Sequence, residues 1–242
     1  MFGRGLKPLS ILTPVLLIGA FALAFFWAPL DGDQGIRQKI FFVHVPLAIV
    51  TLCGFVAGGV FAVKYLRSGD RADDLRSYVA IHMSVVFAVG ALITGGIWAK
   101  SAWGVWWLWQ EPTLTSFLII FLLYACYQPL RFSIEDPEKQ ARYAAVFAIV
   151  GGVFVPLNFM AVRLAEPLIH PRTLSNTANL PGTVSLSFLA CVVAIGVLFT
   201  TMCKYELVNK ATSMRLKGLR KRLAGDDAFT TSGRSAAPQS LS

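Results

Sequence analysis

Six long apolar runs dominate this sequence and leave it few folds to adopt. They cover about residues 9–30, 40–63, 79–98, 112–130, 143–162 and 182–203. As an α-helix, a run of about 20 residues spans the roughly 30 Å hydrocarbon core of a bilayer. Hydrophobic residues make up 55% of the chain and charged residues only 14%, which is not the composition of a soluble domain. The sequence therefore predicts an all-α integral membrane protein with six transmembrane helices.

The distribution of Lys and Arg between the connections predicts the orientation of these helices. Cytoplasmic connections carry the excess of both residues. With the N-terminus inside, 17 of the 22 Lys and Arg residues lie in cytoplasmic segments. Both termini are therefore predicted to be cytoplasmic. This bias and the attraction to anionic lipid account for the net charge of +9, so nucleic acid is not needed as a partner.

The two ends of the chain differ in composition from the spans between them. The first run imitates a cleavable signal peptide up to residues 22–24, which would leave five spans, but it continues through residues 25–27 and so favours a retained helix. After a six-helix domain at residues 1–203, residues 204–223 are basic with interspersed apolar side chains, a pattern typical of an amphipathic helix on the cytoplasmic leaflet. Residues 224–242 are mostly small or polar and predict a disordered tail.

The connection between the third and fourth runs is rich in tryptophan. Residues 103–116, the tryptophan segment, contain Trp103, Trp106, Trp107 and Trp109. An ordinary aromatic belt scatters single tryptophans over many helix ends, whereas this clustering favours a flat apolar platform for a ligand. The predicted topology puts the platform on the extracytoplasmic side.

Two of the three histidines are predicted on that same side. His44 lies about one helical turn inside the outer end of the second run, and His170 lies in the loop after the fifth. Taken singly, His44 is typical of a polar residue bonded to a neighbouring helix, and His170 is typical of a solvated loop residue. Together with the platform, they suit a flat macrocycle whose metal takes an imidazole on each face, which is haem. His82 belongs to the inner end of the third run, about 24 Å from the level of Trp98, and is interpreted as structural.

Basic residues on the outer side are candidates to meet the haem propionates, and nothing in the sequence chooses among them. They are Arg37, Lys39, Lys100 and Arg172.

The same stretches resemble a known family. Trp103-Gly-Val-Trp-Trp-Leu-Trp109, followed by Leu114-Thr-Ser116, is similar to the WWD signature of haem-handling membrane proteins. Phe42-Val-His-Val-Pro46 resembles the stretch around the first haem-ligating histidine of the cytochrome c maturation protein C (CcmC) family. The resemblance covers about residues 34–185. It implies that haem b is held on the outer face of the cytoplasmic (inner) membrane and delivered to an extracytoplasmic haem chaperone, with other cytochrome c maturation membrane subunits as further partners.

The sequence departs from the family pattern at two places. The resemblance assigns the acidic position of the motif to Glu111, and Thr113 stands where the family has Arg. The tryptophans that usually precede the second histidine are absent before His170. The predicted haem-binding residues are His44 and His170, as axial ligands of the iron, with Trp103, Trp106, Trp107, Trp109 and Glu111.

The sequence also leaves two other functions open: a synthetase-type enzyme that attaches haem to apocytochrome, and a transporter with an aromatic outer gate. The synthetase-type relatives are larger and carry more spans, and the predicted outer residues contain no nucleophile beside a base. Transporters tend to show internal repeats and broken or charged helices at mid-membrane, which this sequence lacks. We therefore expect a haem-binding protein that is not an enzyme.

Overall fold

The structure is a computed structural model that describes residues 3–165, 169–170 and 181–234. Six helical segments of this part of the chain are long and apolar enough to cross a membrane, which confirms the predicted fold class. The helices are α1 (Leu6–Ala22, continued by a π-helical turn at Leu23–Trp27), α2 (Phe41–Ser68, preceded by a 3-10 turn at Ile36–Ile40), α3 (Arg71–Trp103), α4 (Pro112–Ala125), α5 (Tyr127–Phe132), α6 (Pro137–Leu164) and α7 (Gly182–Arg234). Helices α4 and α5 together form the fourth span.

Helices α3 and α6 begin well before the apolar runs that predict them, because polar caps set their ends. The Asp70 carboxylate accepts the N–H of Ala72 at 2.8 Å, so α3 begins at Arg71. Asp136 precedes α6, and its carboxylate accepts hydrogen bonds from the N–H groups of Glu138 and Lys139. These bonds favour the charged form and lower the pKa of Asp136. Hydrophobicity thus marks the part of a helix that suits the bilayer, and the caps mark where the helix itself starts.

Helix α2 is the centre of the bundle and packs against α3, α6 and α7. Small residues let the helices approach closely. Gly59 of α2 faces α6, where a Cβ added at Gly59 would lie 3.0 Å from the carbonyl oxygen of Ala148 and 3.3 Å from the Cα of Gly152. This packing fixes the position of α2 and hence of His44, which lies in its first turn.

The two ends of the bundle differ in character. The tryptophan segment lies at one end, called here the tryptophan end. At the opposite end, the guanidinium of Arg131 donates to both carboxylate oxygens of Asp74 at 2.8 and 2.7 Å, and one of its N–H groups also reaches the Tyr127 hydroxyl. Lys204 donates to the carbonyl oxygen of Arg4 at 2.9 Å, so the start of the first span and the end of the sixth share an end of the bundle.

Helix α7 runs without a break from the sixth span through residues 204–223 and on to Arg234. The placement of residues 204–223 on the cytoplasmic leaflet and the disorder of residues 224–242 stay predictions. Residues 235–242 lie outside the described part of the chain.

Candidate functional site

Two cavities adjoin at the tryptophan end. The larger, of about 220 Å³, lies between α2, α3, α4, α6 and the tryptophan segment. The smaller, of about 150 Å³, lies between the residues that precede α2 and the start of α7. Both are far larger than the roughly 10–15 Å³ that a single water requires. His44, Trp98 and His170 line both cavities, so the structure brings the two predicted partner histidines to one shared wall.

The imidazole of His44 is fixed by α3. Its Nδ1 lies 2.9 Å from the carbonyl oxygen of Ala91 and 3.3 Å from the hydroxyl of Thr94. Because a carbonyl only accepts, Nδ1 carries the proton, so in the neutral imidazole Nε2 keeps its lone pair. Gly95 packs against the ring, since a Cβ at that position would lie 2.7 Å from the His44 Cε1. Metal-binding histidines are commonly oriented by such a second hydrogen bond, so this arrangement is suited to an iron ligand.

The imidazole of His170 lies among tryptophans. Its ring is edge-on to Trp98 and Trp103, with centroid separations of 6.3 and 6.2 Å. The backbone N–H groups of Ile169 and His170 donate to one carboxylate oxygen of Glu111, at 3.1 and 3.3 Å. Glu111 is fully buried, so its carboxylate ties the backbone around His170 to the tryptophan segment.

Three of the four predicted tryptophans reach the larger cavity. Trp103, Trp106 and Trp107 line it, whereas Trp109 packs edge-on against Trp107 at 6.0 Å. The chain turns into this segment at Gly104, whose φ of 79° ends α3 in a backbone conformation that favours glycine. Trp106 and Trp109 keep 61% and 66% of their surface exposed, so the platform is also accessible from outside the cavity.

Three of the four cations proposed from sequence lie away from the larger cavity. Lys39, Arg37 and Lys100 each donate to backbone carbonyls and do not line the larger cavity, and Arg172 lies outside the described residues. Among the described residues of the cavity wall, Arg163 near the end of α6 is the only Lys or Arg.

The sequence alone does not single out Trp98, which lies on both cavity walls. Its Nε1 donates to the amide oxygen of Gln34 at 3.2 Å, and its ring packs against Trp103 at 4.8 Å. Its position on the last turns of α3, just before the tryptophan segment, is the one sequence signal that points to it.

His82 is remote from both cavities. It stacks on Tyr78 with a centroid separation of 5.9 Å and contacts the Gln128 amide. The structural role of His82 stays a prediction. In the described part of the chain, no cluster of three or more His, Cys, Asp or Glu side chains is arranged to hold a bare metal ion.

Comparison with known proteins identifies relatives along most of the chain. The family model described as Heme exporter protein C (CcmC) matches residues 1–222. A Heme exporter protein C of Rhodobacter capsulatus is 30% identical over 223 residues, which is 91% of this chain and 92% of the relative. One from Escherichia coli (strain K12) is 31% identical, covering 64% of this chain and 62% of the relative. A ccmC-like mitochondrial protein of cytochrome c biosynthesis from Marchantia polymorpha is 33% identical, covering 64% and 65%.

Proposed function

Because this chain belongs to the Heme exporter protein C (CcmC) family, we propose that it binds haem b and delivers it to a haem chaperone for cytochrome c maturation. The haem site is the tryptophan end of the bundle, on the outer face of the cytoplasmic membrane. Haem is the cargo of this protein, which binds and releases it without covalent catalysis. The chaperone and the other maturation subunits of the membrane are its partners.

The placement of His44 and His170 is the observation that carries this proposal. Two imidazoles from distant parts of the sequence line the same two cavities, and the hydrogen bond to Ala91 gives His44 the tautomer in which Nε2 can bind iron. In the proposal, these histidines are the axial ligands. The indoles of the cavity wall supply the apolar surface for the porphyrin.

Two features support handover to a partner. Trp106 on the cavity wall and the neighbouring Trp109 are both more than half exposed, and aromatic residues are enriched where proteins bind one another. The cavity also lies at an end of the bundle, where a chaperone reaches it from the aqueous phase. A buried cofactor of a membrane enzyme would not need this access.

The first test is the absorption spectrum of the purified protein loaded with ferric haem. We expect a six-coordinate low-spin spectrum for the wild type. His44→Ala and His170→Ala each remove one proposed ligand. Each should therefore weaken haem retention by more than the roughly 10–100-fold that is typical of losing a group that only hydrogen-bonds to a metal ligand. His82→Ala is the matched control and should keep the wild-type spectrum. Loss of haem in the control, with an unchanged spectrum for His170→Ala, would contradict the proposed site.

The second test concerns handover. Haem-loaded protein is mixed with a purified haem chaperone of the maturation pathway, and haem is followed by its absorption after the two proteins are separated. Transfer to the chaperone supports the proposal. Retention of all the haem, under conditions in which the chaperone accepts free haem, would show that this protein binds haem without delivering it.

A further inference from the structure

The wall of the larger cavity is almost entirely apolar or aromatic, with one cation. Among its described residues, Arg163 is the only Lys or Arg, and none is an Asp or Glu. The other polar groups are neutral or histidine side chains, including Thr113, Ser116 and Asn158. A cavity of this kind suits a ligand with a broad apolar body and a negatively charged group at one position on its edge.

Arg163 is placed on this wall by the geometry of α6. Its guanidinium carbon lies 4.8 Å from the centroid of the Phe159 ring, one helical turn earlier, and both residues line the cavity. Asn158 lies on the same wall. Since α6 ends at Leu164, Arg163 is at the tryptophan end of its helix, and the residue there is half-buried. A carboxylate that meets it there loses only part of its hydration, which keeps the desolvation cost low.

The other outer cations of the described chain are held away from the cavity. Lys39 is buried and donates to the carbonyl oxygens of Ala24 and Ala28 at 2.8 and 2.6 Å, where the first span ends. Arg37 donates to the carbonyl of Ser101 at 2.7 Å. Lys100 is likewise bonded to the backbone, at the end of α3.

We propose that Arg163 is the anion-binding residue of the larger cavity and sets the orientation of the bound ligand by pairing with a carboxylate on its edge. This inference rests on the proposed function, in which the ligand is haem and the carboxylates are its two propionates. Arginine matches a carboxylate with two parallel N–H donors, so the contact fixes direction as well as adding affinity. The porphyrin is then held with its propionate edge toward α6 and its apolar edges toward the other helices.

The test compares two ligands that differ only at the carboxylates: ferric protoporphyrin IX and its dimethyl ester. Dissociation constants are measured by absorption titration of the full-length protein in detergent. The wild type should prefer the free acid by about tenfold, the effect of one charge-assisted pair at a half-exposed site. Arg163→Gln should lose this preference because it binds the free acid more weakly and the ester as before. Arg163→Lys should keep part of the preference. The low-spin spectrum should persist in both variants because the histidines are unchanged.

Arg142→Gln is the matched control, since Arg142 belongs to the same helix at the opposite end and pairs with Glu138 on the surface. It should bind both porphyrins as the wild type does. If Arg163→Gln weakened the binding of both porphyrins equally, Arg163 would be a structural residue at the end of α6, where a cation interacts favourably with the helix dipole. The inference would then be overturned. Equal binding of the acid and the ester by the wild type would overturn it as well. A wild type that bound neither porphyrin would overturn the proposed function together with the inference.

Discussion

Glu111 joins two parts of the chain that are far apart in sequence. It is fully buried, and one of its carboxylate oxygens accepts the N–H groups of Ile169 and His170. Glu111→Gln keeps an acceptor oxygen but replaces charge-assisted hydrogen bonds by weaker neutral ones. We expect the variant to hold His170 less firmly and to lose haem affinity by about tenfold, with part of the population moving to a five-coordinate high-spin spectrum.

Gln110→Ala is the control for this prediction, because Gln110 is the exposed neighbour of Glu111. It should leave both affinity and spectrum unchanged. A Glu111→Gln protein with the wild-type spectrum and affinity would show that the carboxylate does not position the second histidine.

The residues of the site differ in how far the sequence predicts them. Local sequence is enough to predict His44, through its Val-Pro46 context, and the clustered tryptophans. The structure brings His44 and three of these tryptophans to one cavity. The hydrogen bonds of Glu111 and the cavity position of Arg163 depend on how distant helices meet, which local sequence does not encode. Gly95 has a role only because the His44 ring lies against it.

Helices α3 and α5 are joined at the opposite end by the buried pair of Asp74 and Arg131, each 8% exposed. Asp74→Asn leaves a guanidinium buried without its counter-charge. Breaking a buried pair in this way costs roughly 3–5 kcal/mol. We therefore expect a clearly lower unfolding temperature in detergent. The haem spectrum of the protein that remains folded should be unchanged, because the pair is remote from both cavities.

Glu138→Gln provides the matched comparison. Glu138 and Arg142 also form an ion pair, at 3.3 Å, but both side chains are 69% exposed. An exposed pair contributes about 1 kcal/mol or less, so the unfolding temperature should barely move. Equal shifts for Asp74→Asn and Glu138→Gln would mean that burial does not set the energy of the α3–α5 pair.

The number of spanning helices is predictable from hydrophobicity alone, but their ends and breaks are not. The run at residues 112–130 predicts one helix, whereas the structure has α4 ending at Ala125 and α5 starting at Tyr127. Pro129 explains this break, since it has no N–H to donate to the carbonyl of Ala125, four residues earlier. The family resemblance inferred from the histidine and tryptophan stretches is confirmed by the family match over residues 1–222.

The whole molecule has one aromatic end and one basic end. The orientation in the membrane decides which compartment the proposed haem site faces. Arg4 and Lys204 lie together at the end opposite the tryptophan segment. The excess of Lys and Arg in the segments predicted to share this end, 17 of 22, favours a cytoplasmic location for it. We therefore expect the tryptophan end to be extracytoplasmic, as the proposed delivery to a chaperone outside the cytoplasm requires.

Cysteine labelling in intact cells tests this orientation. In a variant whose four native cysteines are replaced, Asp33→Cys introduces a thiol near the tryptophan end, and Glu135→Cys introduces one at the opposite end; both positions are exposed. A membrane-impermeant maleimide applied once the outer envelope is opened should modify position 33 directly, and position 135 only after the cytoplasmic membrane is permeabilised. The reverse pattern would place His44, His170 and the tryptophans on the cytoplasmic side. Haem binding by the two histidines would survive that result, but delivery to an extracytoplasmic chaperone would not.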